Sequence, residues 1–137
     1  MILVDSCVQM DILEDDPGWA DWSQRQLDTA ALNAKLIVNA VIYSEISAGF
    51  QRIEQVDAML GQAQITLNEI LRAALFLAAK AIQSYRARGG TRVNTLPDFF
   101  IGAHAAVLGV PLLTRDVRRF EGYFPSLRLI APDQDLS

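Results

Sequence analysis

The stretch Ile2-Leu-Val-Asp5 opens the chain with three apolar residues that end at a carboxylate. An uninterrupted apolar run of this length is typical of a strand that is buried on both faces of a parallel sheet. Similar runs at Lys35-Leu-Ile-Val38, Val110-Pro-Leu-Leu-Thr114 and Leu127–Ile130 predict three more strands. Because segments with helical spacing separate these runs, we expect an α/β fold with a mainly parallel sheet that helices cover on both faces.

Helical spacing and capping signals predict six helices between these strands. Ser6 is expected to cap the first helix and Asn39 the third. The fifth has the clearest start, because Thr66-Leu-Asn-Glu69 matches a capping box, and Gly89-Gly90 is expected to end it. The six helices are expected at about 6–13, 19–30, 39–49, 52–60, 66–88 and 95–109.

Length and composition predict one compact domain over residues 1–137, since 51% of the residues are hydrophobic. The single cysteine, Cys7, excludes an internal disulfide and a zinc site built from several cysteines. No apolar run approaches the roughly 18 to 20 residues of a membrane span. The first residues do not resemble a secretory signal. We therefore expect a cytoplasmic protein that does not associate with a membrane.

The charge of the chain is acidic overall but basic in one region. A net charge of −4 and a pI near 4.8 argue against general affinity for nucleic acids, which requires a basic surface. Residues 86–119 nevertheless carry six arginines and two acids, an excess of four positive charges. This segment predicts a local edge that could contact phosphates. Its arginines are at positions 86, 88, 92, 115, 118 and 119.

Four carboxylates lie where folding alone does not favour a charge: Asp5, Glu45, Asp98 and Asp116. Asp5 and Asp116 follow strands, so both are expected at the carboxyl edge of the sheet, where such folds bind ligands. Glu45 and Asp98 have apolar neighbours at helical spacing, so both are expected to face inward. Carboxylates that lie close together repel one another unless a cation binds between them. Oxygen ligands of this kind suit Mg²⁺ or Mn²⁺. Taken singly, each acid could instead be a helix cap or an ion-pair partner.

The segments around these acids resemble, in order and spacing, the acidic motifs of PIN-domain ribonucleases. The closing stretch from Arg115 to Pro132 is most similar to the VapC-type toxins of bacterial toxin–antitoxin pairs, and the resemblance covers essentially the whole chain. The motifs are Val4-Asp5-Ser6, Tyr43-Ser-Glu45-Ile46, Pro97-Asp98-Phe-Phe-Ile-Gly-Ala103 and Leu113-Thr-Arg-Asp116 with Phe120.

This resemblance implies a PIN-like three-layer α/β/α fold and an endoribonuclease that depends on Mg²⁺ or Mn²⁺. It implies that the four acids bind the metal and carry the catalysis: Asp5, Glu45, Asp98 and Asp116. It also implies an RNA substrate, a bacterial cytoplasmic setting, a homodimer and a small antitoxin that holds the toxin inactive. A carboxylate-bound ion lowers the pKa of a coordinated water, and we expect Glu45 or Asp98 to orient that water.

Neighbouring residues extend this interpretation and mark departures from the family pattern. The hydroxyls of Ser6 and Thr114 are expected to support the acids, and Arg115 or an arginine of segment 86–92 is expected to position the RNA backbone. Many relatives carry an asparagine where this chain has Cys7 and an acid where it has Arg119. A second metal site is therefore less well supplied with ligands.

Other proteins with acidic pockets fit the sequence less well. A haloacid dehalogenase-like phosphatase needs a second Asp two residues after the first, where this chain has Cys7. A signalling receiver domain needs a lysine after a late strand, whereas the lysines of this chain are Lys35 and Lys80. A catalytically silent PIN-like module that binds RNA or protein stays open as the alternative.

Overall fold

The computed structural model describes residues 1–132, so the last five residues of the predicted domain, 133–137, lie outside the described part. Five strands form one sheet in the order β3-β2-β1-β4-β5, and every neighbouring pair is parallel. This arrangement confirms the predicted α/β class and agrees with a three-layer α/β/α fold. The strands are β1 (Ile2–Val4), β2 (Leu36–Val38), β3 (Ile65–Leu67), β4 (Leu112–Leu113) and β5 (Leu129–Ile130).

The helices connect these strands largely as predicted. Asn39 caps the third helix, because its Oδ1 accepts a hydrogen bond of 2.9 Å from the Ile42 amide. Gly109 ends the sixth helix at a φ of 72°, a conformation that favours glycine. The helices are α1 (Ser6–Leu13), α2 (Ala20–Asn33), α3 (Ala40–Ser47), α4 (Ile53–Gln62), α5 (Arg72–Ala87) and α6 (Leu96–Leu108), with a 3₁₀ helix at Val117–Phe120.

Two capping predictions are wrong. Thr66 does not open a helix but lies in β3, where it pairs with Ile37 of β2, and α5 begins only at Arg72. The strand has one buried residue among three, so it lacks the apolar run that marked the other strands. Ser6 does not cap α1 either: it is the first helical residue, and the Asp5 carboxylate accepts its backbone N–H.

The sheet places Asp5 and Thr114 side by side. Val4 of β1 is in register with Leu113 of β4, so the next residue of each strand emerges at the same edge of the sheet. The Asp5 amide donates to the Leu113 carbonyl at 2.9 Å and keeps the two ends together. Since β2 and β3 lie on one side of β1 and β4 lies on the other, this is the point where the strand order reverses. Ligands of open α/β sheets bind at such points.

A second apolar cluster fixes the helix that carries Asp98. Ala74, Ala78 and Ala81 form a stripe of small residues along α5 and pack against Phe99 and Phe124. Small side chains allow α5 to lie close to α6, which anchors the first turn of α6 beside the sheet edge. Within residues 1–132, no helix has the length and apolar character needed to cross a membrane.

Candidate active site

Asp5 is the most enclosed of the four predicted acids. Its side chain is fully buried, and each of its oxygens has a partner. Oδ1 accepts the Ser6 amide at 2.8 Å, while Oδ2 accepts the Thr114 hydroxyl at 2.8 Å and Arg119 Nη1 at 3.2 Å. A buried carboxylate requires such compensation, since an isolated ion in the interior is very costly. The predicted support by the Thr114 hydroxyl is therefore present as a direct hydrogen bond.

Asp98 lies in the first turn of α6 and shares Arg119 with Asp5. Arg119 Nε donates to Asp98 Oδ1 at 3.0 Å, and Nη2 donates to the same oxygen. Burial raises the pKa of Asp98, although the hydrogen bond from Arg119 opposes that shift. Asp5 and Asp116 add to the increase through charge repulsion. The predicted inward orientation of Asp98 is confirmed.

Glu45 reaches the cluster from α3 and is half-buried. Its Oε1 accepts a hydrogen bond of 3.0 Å from the Ser6 hydroxyl, so Ser6 connects the first and second acids. Burial raises the pKa of Glu45, the Ser6 hydrogen bond lowers it, and the charge of Asp5 raises it again. Unlike Asp5 and Asp98, Glu45 has no hydrogen bond to Arg119.

Asp116 lies at the edge of the cluster of acids, beyond the end of β4. Its amide donates to the Thr114 hydroxyl at 3.2 Å, which fixes the loop that carries it. Asp116 lines the same cavity as Asp98. The structure therefore gathers all four predicted acids at one sheet edge, with Asp5, Glu45 and Asp98 linked through Ser6 and Arg119, and with Asp116 beside them.

The sequence did not indicate that the Arg119 side chain would lie among the acids. The sequence analysis treated it as a lost metal ligand, yet its side chain lies among the acids and supplies a counter-charge. Burial acts to lower the pKa of Arg119, but the hydrogen bonds that Arg119 donates to Asp98 and the charges of Asp5 and Asp98 outweigh it, so the pKa is raised. The only signal in the sequence was an arginine at a position where relatives carry an acid.

Cys7 lies beside the cluster without the properties of a nucleophile. Its Sγ is 3.5 Å from Asp5 Oδ2 and 3.5 Å from Thr114 Oγ1. Burial and then the charge of Asp5 raise the pKa of the Cys7 thiol to about 11. The thiol is therefore protonated at neutral pH, and reactive cysteines require the thiolate.

A buried acid that the sequence analysis overlooked supports the loop between β4 and the 3₁₀ helix. Asp11 of α1 is 3% exposed and accepts the Ser23 hydroxyl at 2.9 Å. Arg115 Nη2 lies 3.4 Å from Asp11 Oδ1, and its guanidinium covers the ring of Trp19 at 5.3 Å. Arg115 is thus engaged within the protein, so segment 86–92 is the better source of the predicted RNA contact.

A polar bridge inside the core joins the two helices that carry Glu45 and Asp98. Asn39, at the start of α3, places its Nδ2 3.0 Å from Nδ1 of His104 on α6. His104 is 2% exposed, and burial lowers its pKa. A neutral imidazole can accept the Asn39 N–H at Nδ1, so the bridge depends on a histidine without charge.

The chemistry of the acids suits a hard divalent cation, but two of them are engaged by Arg119. Carboxylate oxygens are the ligands that Mg²⁺ and Mn²⁺ prefer. Within residues 1–132, no three Asp, Glu, His or Cys side chains are placed to share a metal ion. An ion would therefore have to replace the Arg119 guanidinium at the oxygens of Asp5 and Asp98.

Comparison with protein families matches residues 2–123 to the PIN domain family. Comparison with curated protein sequences gives no significant match. Among solved structures, the chain is similar to VapBC2 from Rickettsia felis bound to a promoter DNA fragment, with a TM-score of 0.74, 19% identity and coverage of 97% of this chain and 100% of that one. VapBC-1 from nontypeable Haemophilus influenzae gives a TM-score of 0.71 at 18% identity, covering 96% and 98%. FitAcB from Neisseria gonorrhoeae gives 0.65 at 18% identity, covering 94% and 96%.

Proposed function

The chain belongs to the PIN domain family, and from that premise we propose that it is a Mg²⁺- or Mn²⁺-dependent endoribonuclease, the toxin of a type II toxin–antitoxin pair. The observation that carries the proposal is the meeting of Asp5, Glu45 and Asp98 at the point of the sheet where the strand order reverses. Three carboxylates with one guanidinium among them leave an excess of negative charge that a divalent cation would neutralise.

In this proposal the acids bind the ion, which displaces the Arg119 guanidinium from the oxygens of Asp5 and Asp98. Asp5 and Asp98 are the principal ligands, with Asp116 and Glu45 completing the set. The ion would supply an activated water and neutralise charge on the phosphate being cleaved. Thr114 and Ser6 keep Asp5 and Glu45 oriented through the hydroxyl contacts described above.

Glu45 is the proposed group that orients the attacking water. It is the one acid of the three that Arg119 leaves without a hydrogen bond, and it is half-buried rather than enclosed. Its raised pKa brings it closer to neutral pH than an exposed glutamate, which favours proton acceptance from a water.

The proposed partners follow from the relatives. Complexes named VapBC and FitAcB share the fold, which supports an antitoxin as the partner of this chain. A homodimeric toxin is part of the same proposal. An acidic site suits inhibition by a basic residue of that antitoxin, because carboxylates pair strongly with guanidinium groups.

A catalytically silent module that binds RNA or protein is the second candidate, and Arg119 is the observation that favours it. A guanidinium that permanently neutralises Asp5 and Asp98 would keep the two principal ligands from a metal ion. The two candidates differ in whether the antitoxin-free protein cleaves RNA when a divalent cation is present.

The test is cleavage of structured RNA by antitoxin-free protein with Mg²⁺ or Mn²⁺, and again after chelation. Asp5→Asn and Asp98→Asn should each reduce cleavage by more than about 100-fold, since even outer partners of metal ligands contribute about 10- to 100-fold. Asp21→Asn makes the same chemical change at an exposed position of α2 and serves as the control. RNA binding without metal-dependent cleavage by the parent protein would favour the silent module.

A further inference from the structure

A cavity of about 330 Å³ opens directly beside two of the acids. Asp98 and Asp116 belong to its lining, and the volume lies at the lower limit of the roughly 300 to 1,000 Å³ typical of small-molecule sites. The remaining lining comes from the end of α5, the loop before α6, the first turn of α6 and the segment after β4. These residues include Tyr85, Arg92, Phe99, Arg118, Glu121 and Tyr123.

The aromatic residues that line the cavity pack against one another. Phe99 and Tyr123 meet edge to face with their ring centres 5.3 Å apart, and Tyr85 lies 5.4 Å from Phe99. The backbone of Gly90 lies against the Tyr85 ring, so an added Cβ would overlap that ring. Tyr123 is half-buried, so part of its ring remains open to the cavity.

The outer rim is basic and held in place. The Arg92 amide donates to the Tyr85 hydroxyl at 3.0 Å, which fixes the loop that carries this arginine. Arg92 and Arg118 are both exposed, and within residues 1–132 neither forms a salt bridge. Arg88 lies over the Tyr123 ring at 5.2 Å. Arg92 and Arg118 of the positive segment noted in the sequence therefore line the cavity, with Arg88 beside its Tyr123.

We propose that this cavity binds one nucleotide of single-stranded RNA, next to the phosphate that the acids act on. The neutral base would stack against Tyr123 beside Asp98, while Arg92 and Arg118 contact the flanking phosphates. Aromatic rings and arginines are the usual means of holding unpaired bases and their backbone. The inference rests on the proposed ribonuclease function and deepens it by assigning a substrate subsite.

An acidic peptide is a poorer occupant of the same cavity. The lining carries three acids, Asp98, Asp116 and Glu121, beside its three arginines, so the carboxylates of a peptide inside it would meet like charges. A nucleotide can place an uncharged base inside the cavity and keep its phosphates at the exposed Arg92 and Arg118. The balance of charges in the lining therefore favours RNA.

The first test measures binding of a fluorescein-labelled 12-nucleotide single-stranded RNA by anisotropy, in EDTA so that no cleavage occurs. The variant Arg92→Gln with Arg118→Gln should bind at least tenfold more weakly. Its plot of log affinity against log salt should also flatten by about 1.4, because each phosphate contact to a single strand contributes about 0.7. Arg25→Gln with Arg72→Gln removes the same charge from exposed positions elsewhere and should bind like the parent.

The second test asks whether a base occupies the cavity. The parent protein should bind an abasic strand of the same length about 5- to 150-fold more weakly than the normal strand, which is the range expected for the loss of a stacked base. In Tyr123→Leu, checked for folding by circular dichroism, that difference should shrink. Equal affinity of the parent for both strands would overturn the assignment of a base to this cavity.

The outcomes separate this inference from the proposed function. If the parent cuts RNA while the Arg92 and Arg118 double variant binds and cuts equally well, the subsite is wrong and the nuclease stands. If a glutamate-rich peptide displaces the RNA and depends on the same two arginines, the cavity is a protein-docking site and the inference fails. If the parent neither binds nor cuts RNA, both proposals fail.

Discussion

Arg119 donates from both Nε and Nη2 to the same carboxylate oxygen of Asp98. A third hydrogen bond from Nη1 reaches Asp5, so one side chain ties the 3₁₀ helix to α6 and to the end of β1. Because these acids are buried, their charges depend on this guanidinium wherever no other cation is present. Arg119 and a metal ion would therefore compete for the same oxygens, which leads to the first prediction.

Replacing Arg119 by glutamine should destabilise the metal-free protein and strengthen metal binding. We expect a loss of about 2 to 3 kcal/mol, less than the roughly 3 to 5 of a fully buried broken pair, because the Arg119 side chain is 24% exposed. Mn²⁺ should bind about tenfold more tightly, equivalent to about 1.4 kcal/mol. Urea unfolding in EDTA and calorimetric titration with Mn²⁺ measure the two effects.

Arg25→Gln is the matched control for Arg119→Gln, since it removes one positive charge from an exposed position. It should change neither quantity appreciably. Unaltered Mn²⁺ affinity in Arg119→Gln would show that the guanidinium does not compete with an ion, and the arrangement proposed for metal binding would have to be abandoned.

Thr114 should be sensitive to loss of its hydroxyl rather than to a change of shape. Its Oγ1 donates to Asp5 and accepts from the Asp116 amide, and the side chain is fully buried. Thr114→Val keeps the volume but removes a donor from a buried carboxylate, so we expect a loss of about 1 to 3 kcal/mol. Thr114→Ser retains the hydroxyl and should lose less. Equal urea midpoints for the two variants would contradict this assignment.

The fold was largely predictable because most of its strands are short apolar runs that can be recognised in the sequence. The strand β3 was not, since only Ile65 is buried and Thr66 and Leu67 are exposed at the edge of the sheet. A local capping pattern at Thr66 then suggested a helix, but pairing with β2 outweighed it. Edge strands bury little, so their sequences carry little of the pattern on which such predictions depend.

The convergence of the acids was predictable from their positions, whereas the role of Arg119 was not. Asp5 and Asp116 follow strands, and the acids on α3 and α6 have apolar neighbours, which places all of them at one sheet edge. A 3₁₀ helix has no long apolar face that would indicate the direction of the Arg119 side chain. Asp11 was missed for a similar reason, since its partners Ser23 and Arg115 are distant in sequence.

Gly102 should tolerate no side chain, although alanine is a better helix former. A Cβ there would lie 2.6 Å from the Phe124 ring, within the contact that seats α6. We expect Gly102→Ala to cost about 1 to 3 kcal/mol, as other overpacked cores do. Gly61 of α4 has open space around it, so Gly61→Ala should instead gain up to about 1 kcal/mol. Thermal unfolding should show opposite shifts, and shifts of the same sign would contradict the packing argument.

His104 should make the protein less stable as the pH falls below the ordinary histidine value of 6.5. Because burial lowers its pKa, the unfolded chain takes up a proton in this range that the folded chain does not. The contribution of His104 is therefore present above pH 6.5 and declines below it, by at most about 1.4 kcal/mol for each pH unit.

Glu45 and Asp98 act in the opposite direction, since their pKa values are raised. His104→Gln retains both acids and an acceptor for Asn39, so the difference in unfolding free energy between parent and variant isolates the histidine. Between pH 7 and pH 5 the unfolding free energy of the parent should fall relative to that of the variant. A constant difference would mean that the imidazole is not held neutral by the fold.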